Sequence, residues 1–384
     1  MIKGSRPRVL LVTRNMPPLW GGMEQLNWHM VDELSKRASV CLVGPVGSRQ
    51  GIPDGVDVLE VALEPLPWFL LNALAKATKL ARRWDPDIVL AGSGLTAPIA
   101  EFAARTSRAK SAAYVHGLDV AVDSMLYRKV WIPALRRLDC VVANSRATAQ
   151  LAKVAGVNSA KIKVVNPGVT ISHHRSEDVD RGVNLRAEKK WNDRPLLLSV
   201  GRLTNRKGLR EFVVNVLPSI LEHCPNALLV IVGGAPMNSL HAKAQTVESI
   251  QAAAASAGVA DHLEFMGVVT DRVRLASIYQ AADVHVFPVR DIPNDPEGFG
   301  MVAIEAAAHG LPTVAYATGG VVDAVAEGIS GHLVPSGDGR AFADAVLALL
   351  SRPLPGEGIQ DFANHFDWSC FGKKISTALF GMLE

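Results

Sequence analysis

Two successive α/β domains, each a parallel sheet with helices on both faces, are predicted by three observations. Short β-branched runs alternate with helical patterns along most of the chain, the runs are predominantly apolar, and polar and glycine residues collect directly after them. Continuous apolar strands separated by helices indicate a parallel sheet buried on both sides. At 384 residues the chain is longer than one hydrophobic core organises, so the series divides into two domains of ordinary size.

The first series places strands at 8–13, 40–43, 56–61, 87–91, 111–115, 139–143 and 162–165. Ligands of such sheets bind beyond the carboxyl ends of the strands, so the residues that follow each run carry the functional information. After the first run a Pro- and Gly-rich turn ends in Gly21 and Gly22 and leads into a helix from Met23. Gly92, Ser93 and Gly94 follow the fourth, His116, Gly117, Leu118 and Asp119 the fifth, and Asn144 and Ser145 the sixth. Together they mark one edge as a cleft wall.

Residues 66–84 read as an amphipathic helix, with Leu70, Leu74, Ala77, Ala81 and Trp84 at helical spacing and Lys76, Lys79, Arg82 and Arg83 between them. Two readings stay open: a surface helix with its apolar face in the core, or a basic, aromatic-tipped contact with an anionic membrane or lipid-linked acceptor. The first domain ends near 166–169, and the polar stretch 170–193 reads as a linker or peripheral segment. Within it His173 and His174 point to opposite sides of an extended chain, which speaks against a shared metal.

The second series places strands at 196–200, 228–232, 263–266, 283–287, 313–317 and 332–334. The loop GRLTNRKG follows the first of these and brings Arg202 and Lys207 near glycine-permitted backbone, an arrangement that suits a diphosphate. Each cation–phosphate contact in a partly dry cleft contributes roughly 4 kcal/mol before desolvation. Gly233 and Gly234 follow the second run, Gly267 and Val268 the third, and Thr318, Gly319 and Gly320 the fifth.

The centre of the second series is 296–312, PEGFGMVAIEAAAHGLP. Glu297 precedes Gly298, Phe299 and Gly300, and an apolar helix then runs to Gly310 and Pro312, a usual stop. The glycines let backbone and ligand approach, and the first helical N–H groups form an anion seat. Glu305 interrupts the apolar run, so it either lies on a narrow solvated stripe or is held by a partner.

Composition bounds the function. Hydrophobic residues make up 48% and charged ones 20%, which marks a folded globular protein, and a net charge of +3 gives no argument for nucleic acid. The four cysteines form no CxxC pair, which speaks against a zinc ribbon or disulfide framework, and Cys41 and Cys140 fall in strand-like runs as small buried hydrophobes. No run reaches the ~20 apolar residues that span a bilayer and none resembles a signal peptide, so a cytoplasmic protein is expected. Asp85-Pro86-Asp87 has the Asp-x-Asp spacing of a metal-binding motif but precedes a strand, away from the ligand edge, and reads as a turn.

Glu297 and Glu305, separated by seven residues in EGFGMVAIE, resemble the Glu-x7-Glu signature of the retaining glycosyltransferases of family 4. The resemblance implies the GT-B fold, two doubly wound Rossmann-like domains facing each other across a cleft. It implies an acceptor-binding domain at 1–178, a nucleotide-sugar-binding domain at 179–366, and a last helix at 367–384 that packs back on the first domain. It further implies that Glu297 and His116 contact the donor sugar, that Glu305 holds the ribose, and that Arg202 and Lys207 of GR…KG bind the diphosphate. Gly21 and Gly22 match the family's glycine loop near the donor phosphates and the acceptor, and Asp119 is assigned to the acceptor. Gly267 and Val268 fall where the family runs backbone past the base, and Gly298, Phe299 and Gly300 supply the anion seat. The family's Asn-Gly-Val-Asp junction is altered here, with Pro167 before the glycine and Thr170 at the acid, so no role is transferred to it.

The implied activity is retaining hexosyl transfer from a UDP- or GDP-sugar to a glycan or lipid-linked acceptor. No cofactor and no metal are expected, and peripheral contact with the inner face of a membrane is allowed. The alternatives are a nucleotide-sugar epimerase of the same fold, which would isomerise the donor, and a non-catalytic two-lobed binding protein, which predicts secretion. A hydride-transfer enzyme would want G-x-G-x-x-G after the first strand, which the loop before Met23 lacks.

Overall fold

The computed structural model of the chain describes residues 6–19, 21–171, 175–235 and 244–384. His173 and His174 lie outside the described residues. The chain divides into two compact units: Met1–Gly168 together with Trp368–Glu384, and Val169–Asp367. The first unit therefore ends at Gly168, before the expected 178, and is joined by the final helix Trp368–Phe380.

The first unit holds a seven-stranded sheet built from β1 (Arg8–Val12), β2 (Ser39–Pro45), β3 (Asp57–Val61), β4 (Ile88–Ala91), β5 (Lys110–Val115), β6 (Cys140–Ala143) and β7 (Ile162–Val164), in the order β3-β2-β1-β4-β5-β6-β7. The second holds a six-stranded sheet of β8 (Leu196–Val200), β9 (Leu228–Val232), β10 (Leu263–Gly267), β11 (Val284–Phe287), β12 (Thr313–Tyr316) and β13 (Gly331–Val334), in the order β10-β9-β8-β11-β12-β13. Every pairing is parallel. The strand runs legible in the sequence thus all form, and their apolar residues are buried because both faces are covered: Val9, Leu10, Leu11 and Val12 are fully shielded. In each sheet the order reverses beside its first strand, between β1 and β4 and between β8 and β11. Those reversals open the crevice where ligands of doubly wound sheets bind.

Two elements differ from the sequence reading. The helix Leu66–Trp84 forms with the expected bounds, but its buried stripe is Phe69, Ala73, Ala77 and Ala81, with Leu70, Leu74 and Trp84 packed at its margin. The small alanines let the helix lie close on the sheet, and this turns Trp68 (62% exposed) and Leu71 (59%) outward.

The polar stretch read as a linker contains the helix Arg175–Lys189. Its polar residues are fastened to the second unit: Arg186 donates to the Ala281 carbonyl and to Asp283 Oδ2, each at 2.7 Å, while Lys189 (2.9 Å) and Trp191 Nε1 (2.8 Å) both reach Glu264. Leu185 and Trp191 complete the attachment as buried apolar anchors.

The final helix packs on the helix Gly22–Ser35 of its own unit, where the Trp368 ring stacks on His29 at 3.8 Å between centroids and Gly372 lies against Glu33.

Candidate active site

Three loops at the carboxyl ends of β8, β9 and β10 are laced by backbone hydrogen bonds. Gly201 N–H donates to the Val232 carbonyl (2.9 Å), Leu203 to Gly234 (2.9 Å) and Gly233 to Gly267 (2.8 Å). Gly233 has φ +143, and a Cβ there would run into the Gly201 carbonyl oxygen, so the crossing requires glycine. On this platform a short helix, Asn205–Lys207, presents Arg206 and Lys207.

The acidic loop after β11 is held from two sides. Gly300, at φ +97, opens the helix Met301–Ala308 against Phe287, and Gly320 N–H donates to the Glu297 carbonyl at 2.9 Å. A Cβ on Gly320 would strike the Gly298 carbonyl oxygen, which explains the glycine pair after β12. The Phe299 side chain is 1% exposed, so this residue offers a ligand its backbone alone.

Loop and platform meet in a buried ion cluster. Arg206 Nη1 lies 2.6 Å and Lys207 Nζ 2.8 Å from the same oxygen, Glu297 Oε2, and Arg206 Nε lies 3.2 Å from Asp295 Oδ1. The Arg206, Lys207 and Glu297 side chains are 12%, 17% and 11% exposed. Burial alone would raise the Glu297 carboxyl; the Arg206 and Lys207 charges, the Lys207 hydrogen bond and the Arg202 charge outweigh it and bring it down to about 2. The Lys207 ammonium is lowered by burial and by the Arg206 and Arg202 charges, against the pull of Glu297, and it stands over the Phe287 ring at 4.5 Å. Arg202 is itself exposed.

Of the two alternatives for Glu305, a partner holds it. Tyr279, 2% exposed, donates its hydroxyl to Glu305 Oε2 at 3.0 Å and stacks on His309. Burial raises the Glu305 carboxyl against this hydrogen bond and the Lys207 charge, which places Glu305 within electrostatic reach of the ion cluster.

In the first unit the candidate residues gather after β4, β5 and β6. His116 N–H donates to Asp119 Oδ2 at 2.9 Å, and Asn144 Nδ2 faces His116 Nδ1 at 3.3 Å. Burial lowers the imidazole, against the Asp119 and Glu24 charges, so His116 is neutral near pH 7. His116 Nε2 is a buried nitrogen with no hydrogen-bond partner among the described residues. Gly21 caps the helix Gly22–Ser35, beginning one residue before the expected Met23, and abuts the Glu24 carboxylate.

The second unit therefore brings Lys207, Glu297 and Glu305 together and sets Arg202 beside them. Gly267 ends β10 and Val268 opens the loop that follows it, with Val268 71% exposed and its side chain against Gly234. Sequence reasoning missed Arg206, whose one signal is its place beside Lys207 in NRKG, and Tyr279, which carries none. Asp85 and Asp87 pair with Arg8 at the amino end of β4, as a turn would.

Residues 20–173 match the family described as Glycosyltransferase Family 4, and residues 194–352 match Glycosyl transferases group 1. A GDP-mannose-dependent alpha-(1-6)-phosphatidylinositol monomannoside mannosyltransferase of Mycobacterium tuberculosis is 31% identical over 367 residues, 89% of each chain. The enzyme of the same name from Mycolicibacterium smegmatis is 27% identical over 98% of this chain and 99% of its own length. Among solved structures, Anabaena Alr3699/HepE in complex with UDP superposes with a TM-score of 0.78 at 19% identity, over 97% of this chain and all of that one. The lipopolysaccharide glycosyltransferase WaaG superposes with 0.67 at 17%, over 97% of this chain and 100% of its own. With two parallel α/β units and 31% identity to such an enzyme over 89% of each chain, the chain belongs to the family 4 glycosyltransferases.

Proposed function

We propose that the protein transfers a hexosyl group from a nucleoside-diphosphate sugar to a lipid-linked or glycan acceptor with retention of anomeric configuration and without a metal. The observation that carries this reading is the Glu297 carboxylate gripped by Arg206 and Lys207 where β11 runs into the helix Met301–Ala308. Cleavage of the donor's C1–O bond leaves negative charge on the nucleoside diphosphate. Lys207, Arg202 and the backbone of 298–300 stabilise that charge as it develops. Glu297 and His116 hold the sugar, Glu305 the ribose hydroxyls, Gly267 and Val268 flank the base, and Gly21, Gly22 and Asp119 serve the donor phosphates and acceptor. The acceptor oxygen bonds to C1 on the face the phosphate leaves, and its proton passes to the departing phosphate oxygen.

GDP-mannose and a phosphatidylinositol-type acceptor are the first substrates to try, since the relatives at 27–31% identity use them. Purified protein incubated with GDP-mannose, or with UDP-glucose, and extracted mycobacterial lipid should form a new α-glycoside, identified by NMR at the anomeric carbon. EDTA should leave the rate unchanged. An isomerised nucleotide sugar with no glycoside would favour the epimerase, and loss of activity to EDTA with recovery on manganese would reject metal independence.

A lipid-linked acceptor places the enzyme on the cytoplasmic face of a membrane, as a peripheral protein. No helix among the described residues is long and apolar enough to cross a membrane. Support for surface contact comes from the first unit, where Leu71, Leu74 and Phe102 line an open groove edged by Lys79, Arg82 and Arg83, with Trp68 exposed nearby on the same helix. Each such cation contributes about 1 kcal/mol at an anionic leaflet. Flotation should recover the protein with vesicles containing phosphatidylglycerol and leave it behind with pure phosphatidylcholine, and Leu71→Glu should abolish recovery. Equal flotation with both vesicles, or none with either, would reject this surface.

A further inference from the structure

Arg206 carries the inference, which rests on the diphosphate role of Lys207. Its guanidinium reaches three points of one loop: Asp295 Oδ1 at 3.2 Å, Glu297 Oε2 at 2.6 Å and the Pro296 carbonyl at 3.4 Å. The turn that carries it is fixed in return, because its own carbonyl accepts the Arg290 N–H at 2.8 Å and Arg290 pairs with Glu211 at 2.8 Å. Lys207 binds the very oxygen that Arg206 Nη1 binds. A lysine that turns to a phosphate must loosen its hold on that oxygen, and a buried carboxylate stripped of its cation is strongly disfavoured.

We propose that Arg206 is a positioning residue that keeps Glu297 paired while Lys207 passes from the carboxylate to the donor's diphosphate. Its planar fork spans Asp295 and Glu297 at once, which the single ammonium of a lysine does not. Three charges face Glu297, namely Arg206, Lys207 and Arg202. Arg202 is exposed and, among the described residues, makes no ion pair with Glu297, so Arg206 is the close partner that stays when Lys207 leaves. The exchange also leaves the acid ionised and fixed where the sugar arrives.

Calorimetry with GDP and UDP as probes tests this on the whole chain. Arg206→Gln should lose about tenfold or more in affinity for whichever diphosphate the unsubstituted protein binds, as expected when a buried charge is left to compete for Lys207. That deficit should shrink between about pH 8 and about pH 5, because a carboxyl left with weaker charge compensation in a buried site protonates more readily and gives Lys207 up. Arg206→Gln combined with Glu297→Gln should regain most of the lost affinity, and Arg206→Lys should fall between Arg206→Gln and the unsubstituted protein. Undiminished affinity in Arg206→Gln, or a double variant as weak as the single one, would overturn the proposal. The diphosphate role itself is read separately: if Lys207→Ala keeps full affinity, that role fails whatever Arg206 does.

Discussion

Lys207→Ala is expected to lower kcat/KM by roughly 10²–10³, the scale for removing one preorganised donor from a developing oxyanion. Steady-state rates with the donor varied at saturating acceptor would show the loss. The argument is geometric: Lys207 ends the short helix that follows β8, beside the strand-order reversal, with its ammonium over Phe287 and 17% exposed. Little water competes for it, so its charge is felt more strongly than that of a surface lysine. An unchanged rate would remove Lys207 from the chemistry.

The second large effect concerns stability. Glu297→Ala should destabilise the second unit by about 3–5 kcal/mol, because it leaves Arg206 and Lys207 side by side in a shielded site without the carboxylate they share. The pH dependence has a defined sign. The Glu297 carboxyl lies at about 2 in the folded protein against an ordinary value of 4.5, so its contribution is complete above 4.5 and is lost as pH falls through 2. Denaturant unfolding at neutral pH and in acid would test both statements. The deficit of Glu297→Ala should narrow in acid, and a deficit that stays constant down to pH 2 would mean that the carboxylate's charge contributes nothing.

What can be read from the residues in order follows physical periodicity. The strands of both sheets are legible because parallel strands covered on both faces are largely apolar, and the loop before Met301 is legible because two glycines follow an acid where a helix begins. Arg206 escapes because its acids lie 89 and 91 positions along the chain, and nothing local distinguishes a paired arginine from a solvated one. Tyr279 escapes similarly, as a buried tyrosine 26 residues before its carboxylate. The helix Arg175–Lys189 reads as linker because its side chains are polar; their partners, Glu264 and Asp283, belong to the neighbourhood of later strands. The buried face of Leu66–Trp84 is misjudged for a different reason: spacing identifies a stripe, and here alanines rather than leucines take its centre.

The split composition of the first unit has a consequence for biosynthesis. Its seven strands leave the ribosome early, yet the helix that stacks Trp368 on His29 is translated only after the whole of the second unit. The second unit, one uninterrupted stretch, can fold while still tethered to the peptidyl-transferase centre. The half begun first thus waits for the second to be made, and its helix Gly22–Ser35 lacks its Trp368 partner until then.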